Sequence, residues 1–149
     1  MEVIKAKDFW SYLCVDLGHR FFSGVPCKGL KPLYDVMDSE IMYYVPAIDE
    51  RIALRLASGV ALSGDKAGVL LHASYMENIK NIIRFNVAYE VPILFIVYED
   101  RDIIAPYNIV KAEVGLDNSN FKKVLKRVDN YITKNGKSRM LVITEGVLG

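Results

Sequence analysis

Two short stretches of this sequence carry almost no polar side chains, and they restrict the folds open to it more than any other feature. Ala67–His72 reads AGVLLH, and residues 92–98 read PILFIVY. A strand with one wet face alternates apolar and polar residues. A run without alternation is buried on both faces, as in a parallel sheet covered by helices. Helical patterns separate these runs, and strand follows helix along the whole chain. That order predicts an α/β fold, a three-layer α/β/α arrangement with a mostly parallel central sheet and right-handed crossovers. At 149 residues the chain suits one domain, 1–149, with no repeat or linker.

The chain opens with a predicted helix over 6–17, which sets Phe9, Trp10, Leu13, Cys14 and Leu17 at helical spacing before Gly18. A strand of about four residues follows in RFFSGVPCKG and runs into a turn over 24–29. Residues 30–37 read as a short helix and 42–45 as an apolar strand, with Pro46 in the turn after it. The next helix opens with Asp49 and Glu50 and is expected to bury Ile52, Leu54, Leu56 and Ala57; Gly64-Asp65-Lys66 reads as a turn. After Ala67–His72, Ser74 is placed to cap a helix that turns Ile79, Ile82, Ile83 and Phe85 inward. The mixed stretch EDRDIIAPYNIVKAEVG reads as an irregular surface segment. Periodicity resumes over 118–133 through Phe121, Val124, Leu125, Val128 and Ile132, and 139–144 supply a last strand.

The hydrophobic fraction, 52%, exceeds what a core of this size absorbs, so a subunit interface is expected. Nineteen basic against eighteen acidic side chains leave +1, which gives no footprint for nucleic acid or an anionic membrane. Two cysteines without metal-ligand spacing suit a reduced, cytoplasmic setting. The longest apolar run, 91–97, falls far below the about 20 residues that cross a bilayer, and no signal-peptide pattern opens the chain.

In parallel sheets ligands gather beyond the carboxyl ends of the strands. Three segments therefore matter: 24–29, 45–50 and 72–78. No phosphate loop, GxGxxG or GxSxG motif is present. His19 and His72 lie far apart without a carboxylate at ligand spacing, so no metal site is expected. His19 reads as capping or following the first helix. His72, ending a buried strand, lines a site or is held structurally. Cys27 sits in a turn within reach of a ligand, but without the neighbours that would make it a nucleophile. Glu50 is either an ordinary capping acid or a partly desolvated carboxylate suited to proton traffic.

The stretches FFSGVPCKGLKPL, PAIDERIALRLASGVALSG and VLLHASYMENIKNII, in this order over roughly residues 5–100, resemble the pyrimidine-binding domain of thiamine-diphosphate enzymes. The likeness is greatest to sulfopyruvate and phosphonopyruvate decarboxylases, and the short chain resembles their separate alpha subunit. Val25-Pro26, Glu50 with Gly59 beyond it, and Asn78 fall where that family has its Val-Pro turn, its glutamate and glycine, and its loop asparagine.

The resemblance implies a thiamine-diphosphate-binding fold in which Glu50 hydrogen-bonds the aminopyrimidine ring of thiamine diphosphate and so activates the cofactor for decarboxylation of a small anionic 2-oxo acid. It places Val25, Pro26, Ser74, Tyr75 and Asn78 beside the cofactor and Cys27 and His72 beside the substrate. Mg²⁺ and the diphosphate would belong to a diphosphate-binding beta subunit, because the Gly-Asp-Gly motif that holds them has no counterpart here. The implied assembly is a self-associating dimer within a hetero-oligomer. Tyr75 and Glu77 stand where the family has small residues. The alternative is therefore a non-catalytic or regulatory subunit that keeps the fold and the interface.

Overall fold

A computed structural model describes residues 2–101 and 110–149. Six strands form one sheet in the order β2-β1-β3-β4-β6-β5, and every neighbouring pair runs parallel. The strands are β1 (Phe21–Gly24), β2 (Tyr43–Pro46), β3 (Ala67–His72), β4 (Leu94–Tyr98), β5 (Lys111–Glu113) and β6 (Arg139–Ile143). The α/β/α architecture is as the sequence pattern indicated. Strand β2 ends on Pro46 rather than before it, which an edge strand tolerates because it can leave an N–H unused. Strand β5 was not foreseen: three residues, KAE, leave too short a pattern to read. Residues 102–109 of the segment expected to be irregular lie outside the described residues.

The apolar strands divide their side chains between two cores, as the pleat requires. Leu70, Leu94, Ile96, Leu141 and Ile143 point to one face. There they meet Phe9, Trp10 and Leu13 of the first helix and Phe121, Leu125 and Val128 of α5 (Phe121–Asn135). Val69, Leu71, Phe95, Val97, Met140 and Val142 point to the other face. That face is covered by Leu54 and Ala57 of α3 (Glu50–Leu62) and by Ile79 and Ile83 around α4 (Lys80–Ala88). Gly68 makes room on the first face: a Cβ there would stand 2.8 Å from the Phe22 ring.

The first helix is α-helical only over Ala6–Trp10 (α1) and widens to a π-helix over Ser11–Asp16 before Gly18, whose φ is 79°. The widening keeps Leu13 and Cys14 buried but leaves Leu17 half-exposed. Cys14 is a core thiol, pushed up to about 12 by burial. The helix expected over 30–37 is shorter, α2 (Lys31–Tyr34), after a 3-10 turn at Lys28–Leu30.

Two helix faces differ from expectation. In α3 the buried residues are Ala53, Leu54, Ala57 and Ser58, whereas Ile52 and Leu56 are 44% and 41% exposed. In α4 Asn86 is buried and Phe85 is 56% exposed. Both shifts have one cause. Asn86 Nδ2 donates to Ser58 Oγ at 2.9 Å and Ser58 Oγ donates to the Leu54 carbonyl, so a satisfied polar pair occupies the seam between the helices and rotates the larger apolar residues outward.

At the amino end of the sheet, Gly64-Asp65-Lys66 is a turn and Lys66 Nζ reaches the Leu17 carbonyl at 2.6 Å and Asp129 Oδ1 at 2.7 Å. His19, which follows the first helix, is buried and meets the same carboxylate oxygen through Nε2 at 2.7 Å. Burial alone would push the Asp129 carboxyl up, but hydrogen bonds and charge from His19 and Lys66 outweigh it and hold it below the usual range. A carboxyl depressed on folding stabilises the fold above its unfolded value of about 3.9, and that contribution is lost as pH falls through the lower folded value. Asp129→Asn should therefore destabilise the protein by about 3 kcal/mol at neutral pH. The gap to wild type should narrow below about pH 4. Urea denaturation at pH 7 and pH 3 measures both, and a gap that ignores pH would contradict the assignment.

Candidate active site at the carboxyl edge of the sheet

Chain order and sheet order part at β1. The chain leaves β1 for α2 on one face, whereas α3 carries it from β2 across β1 to β3 on the other, and α4 follows β3 on that same face. The loops after the adjacent strands β1 and β3 thus diverge to opposite faces and open a crevice between them, the usual ligand position in open parallel sheets. Val25, Pro26 and Cys27 follow β1, Glu50 lies four residues beyond β2, and His72 ends β3 with Ser74, Tyr75 and Asn78 after it. Three adjacent strands deliver all the residues singled out from the sequence to one edge.

The capping role at α3 belongs to Asp49. Its backbone is extended and its Oδ1 accepts the Arg51 N–H at 2.7 Å, and the Arg51 guanidinium, also bound to it, holds its carboxyl down at about 2. Glu50, the next residue, is half-buried and has a different partner. The amide Nδ2 of Asn78, 28 positions along the chain, donates to Glu50 Oε1 at 3.0 Å. The second oxygen, Oε2, makes no hydrogen bond among the described residues. The fold therefore leaves a carboxylate at the crevice with one oxygen fixed from across β1 and the other available as an acceptor.

Ser74 does not cap a helix; His72 does. The segment Ala73–Ile79 is a 3-10 helix, and α4 begins only at Lys80. His72 accepts the Ser74 N–H at Nδ1, 3.1 Å away, with Ser74 Oγ at 2.9 Å. A backbone N–H can only donate, so Nδ1 carries the lone pair and the neutral ring bears its proton on Nε2. That nitrogen lies 3.4 Å from Asp100 Oδ2 after β4. No local pattern signals this arrangement, because histidine is not among the usual capping residues.

Tyr75 is half-buried with its ring against the apolar cluster beneath α3 and α4, and Val25 packs on the same cluster. Glu77 is exposed and pairs with Lys80 at 2.8 Å. On the other side of the crevice, the Cys27 N–H donates to the Tyr34 hydroxyl at 3.2 Å. Burial pushes the Cys27 thiol up, against hydrogen bonds from Leu30, Tyr34 and Gly29 that draw it down. Cys27 is thus a neutral thiol at physiological pH and not a nucleophile. Burial likewise raises Tyr34, and Tyr44 to about 12, so this wall offers neutral hydroxyls. Tyr98 lies across Gly29, where any Cβ would run into its ring.

Among the described residues no group of three His, Cys, Asp or Glu could hold a metal ion, and no helix is long and apolar enough to cross a membrane. The residues present fit the pyrimidine end of thiamine diphosphate in their chemistry: a half-buried carboxylate with one oxygen unengaged, at the same sheet edge as apolar Val25 and Pro26.

No protein-family model matches this sequence, and no curated protein matches it at a significant level. Solved structures do share its α/β fold. The 2-oxoglutarate:ferredoxin oxidoreductase of Magnetococcus marinus superposes with a TM-score of 0.80 at 11% identity, over 97% of this chain and 29% of that one. Benzoylformate decarboxylase from Polynucleobacter necessarius gives 0.76 at 16%, over 95% and 30%. A Mycobacterium smegmatis protein assigned as a thiamin diphosphate-dependent enzyme gives 0.75 at 17%, over 95% and 31%. The chain spans about a third of the length of each.

The His72 cap is open to direct measurement. His72→Ala should cost about 1 kcal/mol, whereas His72→Asn, which can accept the same N–H, should stay within a few tenths. Chemical denaturation gives both values, with amide exchange at Ser74 as the local readout. Equal losses in the two variants would show that the ring is held for another reason.

Proposed function

We propose that this chain is the pyrimidine-binding subunit of a heteromeric thiamine-diphosphate-dependent decarboxylase acting on a small anionic 2-oxo acid, of the sulfopyruvate or phosphonopyruvate type. The observation that carries the reading is the Glu50–Asn78 pair: the acid is not the helix cap, and its partner comes from the loop after β3, 28 residues along the chain. Thiamine diphosphate, when bound, supplies an electron sink for the pair left behind as carbon dioxide departs. Glu50 would hold the proton at the aminopyrimidine ring nitrogen, with Asn78 fixing the carboxylate so that it meets the ring without reorganising. Val25, Pro26, Ser74 and Tyr75 would border the ring. Cys27 and His72 would face the substrate, the first as a neutral thiol and the second through its Nε2–H.

The catalytic reading is favoured over a non-catalytic subunit by the position of the two unusual loop residues. Tyr75 is drawn against the core and Glu77 is tied to Lys80. A partner is supported by the outer face of α3 and α4. Ile52 and Leu56 are exposed beside Gly59, where an added Cβ would meet nothing within 4 Å, and the Phe85 and Tyr89 rings, 4.5 Å apart, stand exposed at the end of α4. A helix apolar on both faces is one that a larger assembly covers. A diphosphate-binding subunit would supply the Mg²⁺ site.

The test mixes this chain with its candidate partner, Mg²⁺ and thiamine diphosphate. Saturable cofactor binding is expected, and its absence would sink the proposal. Glu50→Gln should leave assembly intact and lower turnover by roughly 100-fold or more. Full activity in that variant would remove Glu50 from the mechanism.

A further inference from the structure

At the opposite, amino end of the sheet a groove of about 360 Å³ follows edge strand β5. Lys111 and Glu113 of β5, Arg139 of β6, and Arg127, Tyr131 and Lys134 of α5 line it. Four cations meet one carboxylate there, a net of three positive charges on a chain whose total is +1. Glu113 serves two of them: Oε1 accepts from Arg139, and Oε2 accepts from Arg127 at 2.9 Å.

The Arg139 side chain is only 4% exposed, its guanidinium lies 4.3 Å from the Tyr131 ring centre, and its buried Nε donates to nothing among the described residues. A guanidinium at that depth normally has its charge matched by a carboxylate. Here the matching carboxylate is shared with a second guanidinium. Two of the charges have ordinary duties, since Lys134 offsets the carbonyl end of α5 and Lys111 guards an edge strand against strand addition. Neither duty accounts for two arginines on one glutamate.

We propose that this groove binds a small phosphorylated anion of two to three negative charges, a pyrophosphate or phosphate ester, through Arg127, Lys111 and Lys134 above the Glu113–Arg139 pair. Arg127 is 54% exposed and so able to turn to the anion, which leaves Glu113 to neutralise Arg139 alone. Each charge then has its counterpart. Guanidinium forks fit phosphate oxygens two at a time and lysines add point charge, whereas a single carboxylate would leave two cations unmatched. The volume suits a small ligand rather than a peptide helix.

This site is separate from the crevice and independent of the function proposed for it. Lys111 and Arg139 begin their strands, whereas Glu50 and Asn78 follow the ends of theirs, so in a parallel sheet they lie at opposite edges. Titration calorimetry of the full chain with inorganic pyrophosphate, at constant ionic strength and against a sodium chloride control, tests the proposal. Saturable binding is expected, weakened at least about tenfold in K111A/K134A and in R127A, with the melting temperatures of the unliganded variants close to wild type. No binding beyond the chloride control, or undiminished affinity in both variants, would overturn it. Displacement of pyrophosphate by a poly-glutamate peptide or duplex DNA at lower concentration would overturn the assignment to a small anion.

Discussion

The α3 crossover is the constraint on which the carboxyl edge depends. It leaves edge strand β2, passes over β1 and returns the chain at β3, so its first turn and the loop after β3 are brought together although 28 residues separate Glu50 from Asn78. The crossover is held by its buried face, where Leu54 and Ala57 join the second core. The Ser58–Asn86 hydrogen bond fixes its rotation against α4. Were α3 to rotate so that Ile52 and Leu56 entered the core, Glu50, on the opposite face of the helix, would be carried out of the crevice. The polar seam thus decides both where the acid points and which apolar residues remain outside.

The same rotation gives the protein two apolar faces for one helix. Burying Ile52, Leu56 and Phe85 in the chain's own core would satisfy the hydrophobic effect locally. Their exposure beside an uncovered Gly59 leaves that driving force for association. The proposed site and the proposed interface are therefore linked through one helix: its first turn carries the carboxylate, and its outer face carries the exposed apolar residues.

Much of this was legible in the sequence. Unbroken apolar runs announced a parallel sheet, and Ala67–His72 was bounded correctly because nothing polar interrupts it. The five inward positions of α5 followed from strict periodicity, and all five are buried. The failures are instructive in physical terms. A hydrophobicity pattern cannot foresee a buried Asn86 that finds its partner on another helix, so it turned Phe85 inward instead. Nor can local pattern separate Asp49 from Glu50, because both are acids at a helix start. The division of labour between them is set by Asn78, a contact that exists only once the sheet has formed. Strand β5 was hidden because three residues make no pattern, and the histidine cap because its chemistry, not its position, is unusual.

The central claim is that Glu50 is engaged by the loop after β3 rather than employed at its own helix end. A double-mutant cycle on Glu50→Ala and Asn78→Ala, measured by urea denaturation, tests it without reference to any cofactor. The structure predicts a coupling of about 0.5–1 kcal/mol between the two sites, as expected for a hydrogen bond to a half-buried carboxylate. Strictly additive losses would mean that the two side chains do not meet, and the site described here would lose its foundation.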